Sequence, residues 1–267
     1  MKSDGAQVIQ LPNPWRIKAQ GKFICHLPIC LYADDTSGNQ SKKWNKHNSF
    51  YFTLAGLAPA HTNQEYNTHF ITTSNTCTPS ELGERVVDEM NDIASNGFIA
   101  YDSLVSENVL VMSVVLCFLA DSPMHAEITS TPNPGSSNNP CQVCHLGVMR
   151  REEKATSTHV QQFFGLANAP LRRWEETKIN VKEMWKTFKE NGKNAYDKKE
   201  KIHRLKDQIN LQMIELFHNP QQRSHILAIQ TIKSPRLYNP FLRLKGLDGC
   251  QDTPVELLHV YLLGMAK

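Results

Sequence analysis

The 267-residue chain has no apolar run long enough to cross a bilayer. Its longest, Val109 to Ala120, is interrupted by Ser113 and falls short of the roughly 18–20 residues a spanning helix needs, so it reads as a buried strand or strand pair. The opening residues, MKSDGAQVIQLPNPW, lack the continuous apolar stretch of about 7–15 residues found in a secretory leader. Cysteine is sparse and irregularly placed. Seven is an odd count, and only Cys141 and Cys144 have a recognisable spacing, which excludes a disulfide framework and points to a reducing compartment. No internal repeat is visible, and charged residues, at 21%, are neither depleted nor abundant enough for wholesale disorder. These absences leave a soluble chain of cytosolic or nuclear type. Its 40% hydrophobic content suffices for one sizeable core or two modest ones.

The net charge of +3 conceals an asymmetry. Residues 1–145 carry 8 Lys or Arg against 13 Asp or Glu, whereas residues 146–267 carry 21 against 13. An acidic half beside a basic half suits an enzyme that positions cations near a polyanion, the basic part holding its backbone. Two differently charged solvated surfaces would give the same count.

Phe23 to Ala33 reads as a strand ending at Asp34 and Asp35, followed by a polar loop, TSGNQSKKWNKHN, and a second strand, SFYFTLAG. A short third strand is expected near His69 to Thr73. Ser80 is expected to cap a helix in which Leu82, Val86, Met90 and Ile93 form the buried stripe, ended by Asn96-Gly97. The strand-prone VLVMSVVLCFLAD follows, closed by Asp121. STPNPGSSNNP, residues 130–140, reads as a loop. Residues 179–217 read as helical, interrupted at Asn191-Gly192, with their lysines either on solvated faces or in contact with nucleic acid.

Asp34, Asp35 and Asp121 stand where apolar strands end, the places at which a sheet offers side chains to a cleft. Neighbouring carboxylates repel unless a cation lies between them, and Mg²⁺ is served well by carboxylates together with substrate phosphates. Two such ions about 3.5–4 Å apart can activate water and stabilise the leaving oxygen of a phosphodiester. The alternative is that these acids merely end strands and cap turns. Cys141-Gln142-Val143-Cys144 is a half site for structural Zn²⁺, since the two-residue spacing lets both thiolates reach one ion. His259 is a candidate third ligand, with His145, His159 or Cys250 able to supply another. Trp44, Trp174 and Trp185 carry stacking surfaces; Trp185 sits in a helical apolar stripe, whereas Trp44 lies beside Lys42, Lys43 and Lys46 in the polar loop and is the better candidate for touching DNA.

Taken together, LYADDTSGNQSKKWNKH, LADSPMHAEI, CQVC and DGCQDTPVELLHVYLLGMAK resemble the transposase-like proteins of fungal DNA transposons, relatives of the CACTA-type transposases. The resemblance implies an α/β, ribonuclease H-like mixed sheet, incomplete here, with a mainly helical insertion. It implies an N-terminal tail (1–19), the front of the catalytic domain (20–145), a basic helical insertion (146–249) and the start of a returning helical segment (250–267). It places the first catalytic acid on Asp34, with Asp35 a close rival, and the second on Asp121, holding Mg²⁺ or Mn²⁺. It places a further metal-binding motif on Glu256 and His259, with Cys141 and Cys144 holding Zn²⁺. The third carboxylate has no matching position before Lys267; Glu127 and Glu256 are the substitutes to consider. The chain is therefore expected to be a fragment of a nuclear, DNA-binding transposase, inactive by itself, with room for a homo-oligomer. A non-catalytic, zinc-stabilised DNA- or protein-binding module is the other expectation.

Overall fold

The computed structural model describes residues 2–4, 7–9, 13–37, 46–62, 64–134, 137–138, 141–232 and 234–255. A two-stranded hairpin, β1 (Lys2–Asp4) with β2 (Gln7–Ile9), precedes helix α1 (Pro14–Ala19), which Asn13 caps by accepting the Trp15 amide at 3.0 Å. The first apolar segment is two strands rather than one. Leu27-Pro28 separates β3 (Ile24–His26) from β4 (Ile29–Ser37), because proline has no amide to continue a ladder. After β5 (Lys46–Leu54), the short helix α2 (Pro59–Thr62) and β6 (His69–Ser74) comes the long helix α3 (Pro79–Ser95). Its cap is Thr78, not the expected Ser80. Thr78 accepts the Glu81 amide and Glu81 returns a bond to the Thr78 amide, with Pro79 pre-set for the first turn. The Ser80 hydroxyl instead donates to Glu127 at 2.9 Å.

The strand-prone run after α3 is a pair, β8 (Glu107–Met112) and β9 (Val115–Leu119), preceded by β7 (Phe98–Asp102). The two halves of the run enter different sheets. β8 lies between β3 and β7, whereas β9 joins a four-stranded mixed sheet in the order β6-β5-β4-β9. Within that sheet β4, β5 and β6 are antiparallel neighbours, and β9 returns parallel to β4 after the α3 crossover. The described architecture is thus mixed α/β, completed by helices α4 (Ser122–Ile128), α5 (Ser157–Phe163), α6 (Trp174–Asn191), α7 (Lys193–His203), α8 (Gln208–His218) and α9 (Pro220–Ile232). Gly192, at φ 79°, makes the break between α6 and α7 where Asn191-Gly192 was expected to interrupt the helix. No helix among the described residues is long and apolar enough to cross a membrane.

One core lies between the four-stranded sheet and α3. Leu31, Ala33, Phe50, Val87 and Phe118 are buried there with Phe241, which arrives from the far side of the helical region. Phe241 stacks on Phe50 at 6.1 Å and meets Phe118 edge-on at 5.3 Å. Gly83 permits this, since a Cβ there would lie 2.5 Å from the Phe241 ring. A second core joins Trp174, Val181, Trp185, Phe188, Tyr196 and Ile214 within the helices. A buried polar knot ties the two together. Asp207, fully enclosed, accepts the amides of Asn210 and Asn239 at 2.9 Å each, and Asn239 donates to the carbonyls of Glu127 and Ile128 at 2.8 Å. Arg243 adds ion pairs to Glu84 and Asp88 of α3 at 2.8 and 2.9 Å.

Candidate functional site

Side chains alternate across a strand, so Asp34 and Asp35 leave β4 on opposite faces. Leu31 and Ala33 point to the core, and Asp35 continues their face beyond it, into a polar cleft of about 450 Å³ that also receives Lys46, Asn48, Glu127 and Lys206. There Asp35 is paired with Lys46 at 2.5 Å. Asp34 shares the other face with Tyr32, whose hydroxyl donates to Asp34 Oδ2 at 2.8 Å. Tyr32 lies opposite Leu119 in the parallel β4–β9 ladder, so Asp34 and Asp121 each follow two residues beyond paired positions, on adjacent strands. Strands in a ladder run about 4.8 Å apart. Both carboxylates bear on the Tyr32 phenol: burial, the Asp34 hydrogen bond and the charges of Asp34 and Asp121 push its pKa well above the ordinary tyrosine range. Asp121 also caps α4, its Oδ1 accepting the Met124 amide at 2.8 Å. Among the described residues, each acid therefore spends one oxygen on a local bond and has one left for another ligand.

The same sheet face carries a row of rings. Tyr32 and Tyr51 are 6.1 Å apart, and Tyr51 meets Phe70 edge-on at 5.7 Å; Phe70 is exposed. Sequence reasoning passed over Tyr32, although its position two residues before Asp34 on a strand places it on that acid's face.

Cys141 and Cys144 come together as their spacing implies, the Cys144 amide donating to Cys141 Sγ at 3.3 Å. Burial chiefly, and the neighbouring Cys141 thiol, push the Cys144 thiol up. The loop is held by Arg172, whose Nε donates to the carbonyls of Cys141 and Cys144 at 3.1 Å each. Cys250 is buried nearby, its thiol pushed up to about 11 by burial and by Asp248. His145 follows the pair directly, with its amide on the Pro170 carbonyl at 2.7 Å, and burial together with Arg172 holds its pKa below the ordinary histidine range. His159 is buried on α5. Among the described residues, no three His, Cys, Asp or Glu side chains form a cluster ready to hold an ion. His259, Glu256, Trp44, Lys42 and Lys43 lie outside the described residues.

Trp174 and Trp185 are buried in the helical core, 3% and 2% exposed, which removes both from the stacking surfaces considered above. The helical lysines divide. Lys178, Lys186, Lys193 and Lys199 pair with acids of α6 and α7, whereas Lys182, Lys189, Lys198 and Lys201 are exposed without an ion pair among the described residues. No protein-family model matches the chain, and no curated protein is significantly similar to it.

Proposed function

We propose that this chain carries a ribonuclease H-like sheet and is a transposase-derived, DNA-binding protein, of a class that cuts and joins DNA strands with divalent metal ions. The observation that carries the reading is the placement of Asp34 and Asp121 beside each other on the parallel β4–β9 pair, with Tyr32 facing both. The strand order β6-β5-β4-β9 with an α3 crossover, three antiparallel strands and a parallel fourth, supports the fold assignment. The two acids fit a hard cation by chemistry, since each retains a carboxylate oxygen not used by Tyr32 or Met124. Mg²⁺ or Mn²⁺ held there would supply charge stabilisation at a phosphodiester. Asp35, committed to Lys46 on the opposite face, is the weaker of the two β4 candidates. Glu127, engaged with Ser80 on that same side, does not serve as the third acid.

Since Asp34 and Asp121 are the two acids placed on this pair among the described residues, the chain is expected to bind DNA but not to complete strand transfer. The test is a cleavage and strand-transfer assay on duplex DNA with Mn²⁺, comparing wild type with Asp34→Asn and Asp121→Asn. Weak nicking lost in both variants is the expected result. Robust transfer by wild type would show that the chain is catalytically complete, and nicking unaffected by either substitution would remove these acids from the site.

A second reading, a zinc-stabilised module without catalysis, is favoured by the N–H···S bond in the cysteine pair. Cys141 and Cys144 would hold Zn²⁺ with His259, fixing the loop between the sheet and the helical region. Protein purified without chelator should carry close to one zinc per chain, and Cys144→Ser should lose most of it. Less than about 0.2 zinc per wild-type chain would count against the site.

A further inference from the structure

Cys30 and Cys117 are register partners in the parallel β4–β9 ladder, just past the irregularity between Ile29 and Cys30. Register partners project from the same side of a sheet, and adjacent strands lie about 4.8 Å apart. On β4 the core side is held by Ile29, Leu31 and Ala33, so Cys30 shares the opposite side with Tyr32 and Asp34. Phe118 fills the core from β9, which turns Cys117 to that same outer side. Both thiols are free and half-buried, and they hydrogen-bond to each other. The backbone thus makes neighbours of two sulfurs that are far apart in the chain.

The pair is chemically asymmetric. Burial, the bond to Cys30 and the charges of Cys30 and Asp252 push the Cys117 thiol up to about 12. Cys117 therefore holds its proton, and the attacking role falls to Cys30. The other thiols have different surroundings. Cys25 lies opposite Val111 in the three-stranded sheet, and Cys250 faces the Cys141–Cys144 loop. The spacing of paired strands also falls within the Cα separation of about 4.4–6.8 Å that a disulfide demands.

We infer that Cys30 and Cys117 form an oxidative modification site, a dithiol that hydrogen peroxide closes to a disulfide across β4 and β9. The Cys30 sulfur attacks one peroxide oxygen, the O–O bond breaks, and Cys30 becomes a sulfenic acid as the first water leaves. The Cys117 sulfur then displaces the sulfenic hydroxyl, which departs with the Cys117 proton as a second water. Two thiols are oxidised to one disulfide and one peroxide is reduced to two waters. The link lies two residues behind Tyr32 and Leu119 and four behind Asp34 and Asp121. It pins the separation of the strands that lead to those acids without touching either acid. The site rests on the ladder and not on the function proposed above.

The experiment uses the full chain, reduced and then freed of reductant. It is treated with a small molar excess of hydrogen peroxide, quenched by alkylation and mapped by mass spectrometry of non-reduced peptides. The expected product is a linked pair of peptides containing Cys30 and Cys117, separated again by dithiothreitol. The oxidised protein should melt roughly 5 °C or more above the reduced one, because the link closes a long loop of the unfolded chain. In Cys117→Ser, a sulfenic-acid probe such as dimedone should label Cys30, whereas in Cys30→Ser the Cys117 thiol should stay unmodified. Cys141→Ser separates this link from a bridge within the cysteine loop, and the Cys30–Cys117 peptides should persist in it. If a variant fails to fold, the wild-type map still decides. Cys30 and Cys117 recovered as free thiols, or joined to other cysteines, at a dose that oxidises the Cys141–Cys144 pair would overturn the site. A link that forms without raising the thermal midpoint would overturn the pinning of the two strands.

Discussion

Asp207 shows how one residue can couple the stability of this chain to pH. Complete burial pushes its carboxyl up to about 6, against the opposing pull of the Asn239, Asn210 and Ile209 amides and the Ser130 hydroxyl. A raised carboxyl favours folding while protonated. Its stabilising contribution is complete below about 3.8 and is lost as pH rises through about 6. Glu81 and Asp88 act in the other direction, held low by Gln212 and Thr78 and by Arg243 and Arg236 against the effect of burial, so that their contribution is present above the ordinary carboxylate range and fades on acidification. Asp207→Asn should therefore remove on the order of 2–3 kcal/mol of pH-dependent stability between pH 4 and 7, read as the change in the slope of denaturation midpoint against pH rather than in its absolute value. An unchanged slope would mean that Asp207 remains ionised throughout. The sequence marked Asp34, Asp35 and Asp121 by their strand-end positions; Asp207 is locally legible only as the cap of α8, accepting the Asn210 amide, and nothing local announces its burial or that of Arg172. Their environments are made by Asn239 and by the Cys141–Cys144 loop, each about thirty residues away in the chain.

At the level of elements, α3 was legible because its instructions are local: Thr78-Pro79-Ser80-Glu81 followed by an apolar stripe. Only the capping residue differed from expectation, and Pro79 explains it by fixing the first turn two residues earlier. Thr78→Ala should cost about 1 kcal/mol, visible as a fall of roughly 2–4 °C in the thermal midpoint. The split of the β8–β9 run between two sheets was not legible, since periodicity reports burial and not which neighbour supplies it. Ser113 marks the break, its hydroxyl donating to the Leu27 carbonyl at 2.6 Å. The start of α6 is set in the same long-range way. Gly249 lies against the Trp174 ring, where a Cβ would approach to 2.6 Å. Gly249→Ala should destabilise by about 1–3 kcal/mol and loosen the adjacent Cys250 region, which chemical denaturation and thiol-labelling rates can follow.

For the whole molecule, the acidic and basic halves recognised by charge do not correspond to two independent bodies. The sheet core is closed by Phe241, Leu244 and Leu247, and the helical region is anchored back to α3 by Arg236 and Arg243. Phe241→Ala, which removes the ring between Phe50 and Phe118, should lower stability by about 3–5 kcal/mol and weaken both cores in one transition. Two separate unfolding steps in this variant, monitored by tryptophan fluorescence for the helical core and amide exchange for β4 and β5, would show that the halves are energetically independent.

The late arrival of Phe241 also dictates an order of events during synthesis. Strands β4, β5, β6 and β9 and helix α3 leave the ribosome well before the ring that fills the space between them, so a nascent chain carries an apolar seam that only its own distal residues can seal. Closing so long a loop is slow, though its entropic penalty grows only with the logarithm of its length. Translation past Leu247 is thus the earliest point at which every residue of this core has been made and the seam can be sealed.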